Sequence, residues 1–151
     1  MREILFRGKC KDTGKWYAGY YINLHKTTYC FKEDYEADKD NDIHQIVFEK
    51  MTDWGLPNRH LRVDVIPSTI GQYTGLTDKN GKRIFEGDIV KIHYDSAMWG
   101  NNREVVFEEG QWFFKDNTIS QKSYMGAWGN SVVEVISNIH DNPELLKERE
   151  G

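Results

Sequence analysis

Cysteine is nearly missing from this 151-residue chain: Cys10 and Cys30 are the only two, far apart and in no metal-like spacing. That excludes a disulfide framework and a clustered thiolate zinc site. Five histidines are present, at His25, His44, His60, His93 and His140. None forms an HxxxH pair or stands at a short ligand spacing to a cysteine, so no metal site and no cofactor is expected. Long apolar runs are also lacking, and none approaches a membrane-spanning length. The start, Met1-Arg-Glu-Ile-Leu-Phe-Arg7, is too short and too charged for a signal peptide. These features set the expectation of a cytoplasmic protein with reduced thiols and no membrane partner.

Charge of one sign is lacking too. The net charge is −4, and the first 70 residues carry 11 basic and 11 acidic side chains. The remainder carries 9 basic and 13 acidic. Neither part has the global footprint of a nucleic-acid binder, although a local basic face at Lys79, Lys82, Arg83 and Lys91 stays open. No strand–turn–helix nucleophile motif occurs, and Gly75, Gly81 and Gly87 fit no phosphate-cradling loop. There is no internal repeat and no low-complexity tract.

Aromatic residues are abundant, at 13%, while proline occurs three times. Aromatics bury large areas and suit pleated surfaces, so a mainly β protein is expected. Glu3–Lys9 and Trp16–Leu24 read as a hairpin around the Lys11–Gly14 turn, with Gly19 marking a bulge or a close backbone approach. Thr27–Lys32 reads as a further short strand. Glu33–Asp42 holds six acidic residues and one lysine. Its alternating Asp38, Asp40 and Asp42 imitate a calcium loop, but the mid-loop glycine and closing glutamate are missing, which favours a solvated acidic loop. Ile43–Met51 and Leu61–Ile66 read as strands around a Trp54-Gly-Leu-Pro57 loop.

The densest run of turn signals is Gln72-Tyr-Thr-Gly-Leu-Thr-Asp-Lys-Asn-Gly-Lys-Arg-Ile-Phe-Glu-Gly-Asp-Ile-Val-Lys-Ile92. Asn80-Gly81 predicts a tight type I′ turn between antiparallel strands. Asp78 is placed to bond the backbone ahead of it. Glu86-Gly87-Asp88 predicts a sharp turn opening the strand Ile89–Tyr94, a pattern common to small SH3-like barrels. The carboxylates of Glu86 and Asp88 read as turn caps rather than as an acid–base pair. Strands follow at Arg103–Glu108, Gln111–Lys115 and Val132–Ile139, with Asp116–Ser131 as a loop containing a helical turn. Asn142-Pro143-Glu144 opens a short C-terminal helix.

Residues 72–90 resemble the signature of the YopX family, small proteins encoded by phages and prophages. Arg2–Arg7 with Thr13–Tyr17, and Ile136–Leu146, are similar to the family pattern in the same order. The resemblance implies a mainly β protein with an SH3-like barrel in its C-terminal part; Pro67, which interrupts the Leu61–Ile66 strand, sets the expected division into an N-terminal β unit (1–66) and the barrel with its short C-terminal helix (67–151). It implies no catalytic residues. The expected role is a non-catalytic binding or self-assembly module, with a homo-oligomer or a protein as partner and a nucleic-acid-binding factor as the alternative. Trp99, Trp112 and Trp128, in or beside the barrel loops, are the candidate partner-binding residues. Burial in a small core or at a subunit interface is the competing role for all three.

Overall fold

The computed structural model describes residues 1–38, 41–93, 102–117, 121–127 and 130–147. The protein is mainly β, as its aromatic content implies, and divides into two compact units, Ile4–Ile70 and Gly71–Gly151, the latter with Met1–Glu3. Among the described residues no helix is long and apolar enough to cross a membrane.

In the first unit β1 (Phe6–Lys9), β2 (Trp16–Leu24), β3 (Ile43–Lys50) and β4 (Arg59–Asp64) follow the antiparallel order β4-β3-β2-β1. The pairing Tyr21↔Ile46↔Val63 and the two-residue side-chain period put Tyr17, Tyr21, Ile46, Phe48, Leu61 and Val63 on one face. Ile46 is fully buried there. Ring contacts of 5.6 Å between Phe6 and Tyr21, and 5.0 Å between Tyr17 and Phe48, fill the rest. Gly19 does mark a close approach: a Cβ there would lie 2.1 Å from the Val47 carbonyl oxygen.

Two readings of this unit change. The first strand begins at Phe6 rather than Glu3, and Thr27–Lys32 is not a strand. The chain instead bends and enters α1 (Lys32–Ala37). Glu33 and Asp34 fill its first turn, where negative charge meets the positive end of the helix dipole, so the acidic density that suggested a loop starts a helix.

The second unit pairs β5 (Gly71–Thr77) with β6 (Arg83–Phe85). It also forms an antiparallel sheet of β7 (Asp88–Ile92), β8 (Arg103–Glu108), β9 (Gln111–Asp116), β10 (Gln121–Tyr124) and β11 (Val133–Asn138), in the order β10-β9-β8-β7-β11. Val90, Ile92, Val105, Phe114, Val133 and Val135 line its inner face with Ile84 and Met125, and Leu76 packs against them. Each such buried side chain contributes about 1.5–3 kcal/mol relative to exposure. The expected SH3-like barrel is not closed among the described residues: β10 and β11 end the sheet without pairing, and the β5–β6 hairpin covers its inner face instead. The loop expected over Asp116–Ser131 contains β10, hidden by its polar sequence. The C-terminal helix is a 3₁₀ turn, Pro143–Leu146, and Asn142 makes no side-chain cap. Its amide donates instead to Glu144 and its oxygen accepts from Ser137.

Candidate interaction surface

The run at 72–92 folds around two buried carboxylates. Asp78 is 4% exposed. One oxygen accepts the Asn80 and Lys82 N–H groups at 2.8 and 2.9 Å, and the other accepts the Val135 N–H at 3.0 Å. Burial works to raise its pKa, but the three backbone donors prevail and hold it below the usual carboxylate range. The same side chain selects the turn. Asp78 N–H bonds the Lys82 carbonyl at 2.8 Å, and Gly81 N–H bonds the Asp78 carbonyl at 3.0 Å. This is a three-residue loop, and only Gly81 takes positive φ, at +79°; Asn80 does not, so the type I′ expectation is corrected.

Asp78 and the Lys79 N–H, which donates to the Val133 carbonyl at 2.8 Å, occupy the outer edge of β11. The bulge at Ile136, between Val135 and Ser137, stands beside this contact. An edge strand is thereby capped by a turn rather than left to pair with another chain. Asp88 accepts the Phe85 N–H at 2.8 Å and is 1% exposed, which supports turn capping as its role.

Two of the four residues of the expected basic face, Lys79 and Arg83, are paired with acids. Lys79 bonds Glu134 at 2.9 Å, and Arg83 holds Glu3 through two bonds of 2.8 and 3.0 Å. Lys91 stands opposite Glu134 in the β7–β11 register. His93 reaches the same Glu134 oxygen at 2.6 Å. Lys79 and then His93 hold the Glu134 carboxyl below its ordinary range, and a carboxylate so engaged is a weak base. A buried polar group was not foreseen: Arg103, 1% exposed, donates to the Ser123 hydroxyl at 2.9 Å and feels the charge of buried Asp116. Burial lowers the Arg103 pKa and Asp116 partly offsets it. Arg103 and Asp116 lie one step beyond the Glu104↔Lys115 pair on the same ladder, so strand alternation, once β8 and β9 are aligned, would have found them.

Of the three candidate tryptophans, Trp99 and Trp128 lie outside the described residues. Trp112 is half-buried, packs against the core, and meets Phe107 at 4.8 Å between ring centroids.

Exposed apolar side chains are plentiful in the first unit. The β3–β4 connection carries Met51, Trp54 and Leu56, at 78%, 102% and 60% exposure. Its turn is closed by Leu56 N–H on the Asp53 carbonyl at 3.1 Å, with Gly55 at φ +82°. That geometry suits a type II turn and sets Trp54 at its projecting corner. After β2, an open depression of about 650 Å³ is lined by His25, Thr28, Tyr29, Phe31 and Tyr35 among others. The His25 and Tyr29 rings meet Tyr35 edge-on at 4.7 and 5.9 Å. Two of the acidic residues beside it have partners. Asp38 accepts from the Tyr29 hydroxyl and the Asn41 amide, and Asp42 bonds His25 at 2.7 Å. The hydrogen bond to Asp38 pushes the Tyr29 pKa up to about 12. Asp40, the middle residue of the calcium-like alternation, lies outside the described residues.

A family model described as YopX protein matches residues 5–147. The chain belongs to the YopX family. Two solved structures share its fold. Protein EF1440 from Enterococcus faecalis is 23% identical with a TM-score of 0.52, over 97% of this chain and 100% of that one. Protein yopX from Bacillus subtilis is 18% identical with a TM-score of 0.52, over 99% of this chain and 100% of that one. No functionally curated protein matches the chain. The YopX match runs through both units, so the exposed surface of residues 5–70 belongs to the family region as fully as the turn-rich run at 72–92.

Proposed function

We propose that this YopX-family protein is a non-catalytic phage or prophage accessory factor that works in the host cytoplasm as a binding or self-assembly module. The observation that carries this reading is the concentration of solvated large apolar side chains in the first unit, with Phe31 at 68% exposure and Trp54 at 102%. Large exposed apolar groups clustered locally, as Met51, Trp54 and Leu56 are on the β3–β4 connection, mark interaction sites. The absence of catalysis is in keeping with carboxylates that are engaged: Asp78 and Asp88 by backbone N–H groups, Glu134 by two cations. Nucleic-acid binding is the weaker reading, because Lys79 and Arg83 already have acidic partners.

Light scattering on the full chain tests the assembly reading: association is expected, and a monomer at all working concentrations removes it. Affinity purification from infected or lysogenic cells tests the wider binding role, with a protein partner expected. An electrophoretic shift at low salt that weakens steeply as salt rises would overturn the ordering in favour of nucleic acid.

A further inference from the structure

The tip and the depression lie at opposite ends of one strand. β3 starts at Ile43, which pairs with Leu24 just before the depression, and ends at Lys50, at the base of the tip. Eight residues of strand span about 26 Å, so the tip of a chain is far from its own depression. The two features nevertheless suit each other. The tip is exposed and apolar, and the depression is shallow and open, lined by Tyr29, Phe31 and Tyr35 together with polar groups that include Lys26 and Lys32.

Charge adds a second match. At the base of the tip Lys50 stands directly opposite Arg59. Like charges in that position repel, and neither has an ion-pair partner among the described residues. Beside the depression, Glu33 and Asp34 fill the first turn of α1 and likewise have no ion-pair partner among the described residues; with Glu36, Asp38 and Asp42 they outnumber Lys26 and Lys32 of the lining, so the acidic sign prevails.

We propose that Trp54, flanked by Met51 and Leu56, packs into the open depression beside Tyr29, Phe31 and Tyr35 of a second copy of this chain, with Lys50 and Arg59 set against Glu33 and Asp34 of that copy. The inference rests on the self-assembly reading and gives it a surface. A two-fold pair in which each tip fills the other's depression uses both features twice; a one-way contact builds a ring or a chain.

The experiment uses light scattering and sedimentation of the full chain from about 1 to about 200 µM, a range that resolves micromolar dissociation constants. Wild type associates. Trp54→Ala raises the dissociation constant about 30-fold, equivalent to about 2 kcal/mol, while its thermal melting in dilute solution is unchanged. The double variants Lys50→Glu/Arg59→Glu and Glu33→Lys/Asp34→Lys are each monomeric alone, and mixing them restores association, because every tip then meets a helix of opposite charge. A wild-type monomer at the highest concentration overturns both this inference and the assembly reading. A dissociation constant unchanged by Trp54→Ala, or a mixture that stays monomeric, overturns this inference alone. Binding of wild type, and not Trp54→Ala, to anionic phospholipid vesicles without self-association would assign the tip to a lipid surface and also overturn it.

Discussion

Two hairpin connections in this protein solve the same geometric problem in opposite ways. The β5–β6 loop and the β3–β4 loop each contain a glycine at φ near +80°, and at both an added Cβ would meet open space. The β5–β6 loop is tied down by a buried carboxylate with three backbone donors. The β3–β4 loop is closed by the Asp53–Leu56 turn bond and by the Thr52 hydroxyl on the Pro57 carbonyl at 3.2 Å, all at the surface, and presents a fully solvated tryptophan. A turn is therefore not assigned a role by its backbone. The side chains before and inside it decide whether it seals the fold or reaches out of it.

The sharpest way to break the contrast is Asp78→Ala. It removes the acceptor of three N–H groups, one of them on β11, and should destabilise the second unit by about 3 kcal/mol, read as a fall in the urea midpoint. Acid should do the same more gradually. The folded-state pKa of Asp78 is depressed, so its contribution is complete above the unfolded value of about 3.9 and fades as pH falls through the folded one. Urea midpoints measured from about pH 6 down to about pH 2 should therefore drop less steeply in Asp78→Asn than in wild type. A variant curve parallel to wild type would remove Asp78 from the acid limb.

Gly81→Ala and Gly55→Ala form a matched pair. Both positions are open, so only the left-handed backbone counts, and each substitution should cost about 1–2 kcal/mol. Unequal losses would mean that packing around the turns contributes. The smallest effect belongs to Trp54→Ala in dilute solution, where the fully solvated ring should change stability by less than about 0.5 kcal/mol in thermal or urea melts.

The contrast also separates what could be read from the sequence from what could not. The strands Trp16–Leu24 and Arg103–Glu108, the bonding role of Asp78 and the turn before Asp88 follow from local chemistry, since each involves residues within a few positions, whereas ends such as those of β1 and β4 shift by two or three residues. The turn type did not. Asn80-Gly81 signals a two-residue loop, but the Asp78 side chain bonds Lys82 N–H and enforces a three-residue one. Its third donor, on Val135, lies outside any local window. β10 escaped notice because Gln121, Lys122 and Ser123 carry no β-branched or aromatic signal; they are a strand because β9 offers them a ladder. At 51–57 composition marked a loop, but exposure is a property of the folded surface, and nothing in Trp54-Gly-Leu-Pro distinguishes a tip that projects from one that folds back. Proximity to loops does not tell a solvated tryptophan from a packed one, and Trp112 packs with Phe107 at the margin of the core.

The bond from Asp78 to Val135 links residues 57 apart in the chain. At a synthesis rate of about 5–20 residues per second, roughly 3 to 11 seconds separate the appearance of the carboxylate from that of its last donor. Until then β11 does not exist and the sheet lacks one margin. The second unit therefore carries a long-range closure that only its final strand completes, which raises its contact order and makes late, all-or-none folding the expected course. A carboxylate placed to hold an edge in the finished molecule also sets the moment at which that molecule becomes finished.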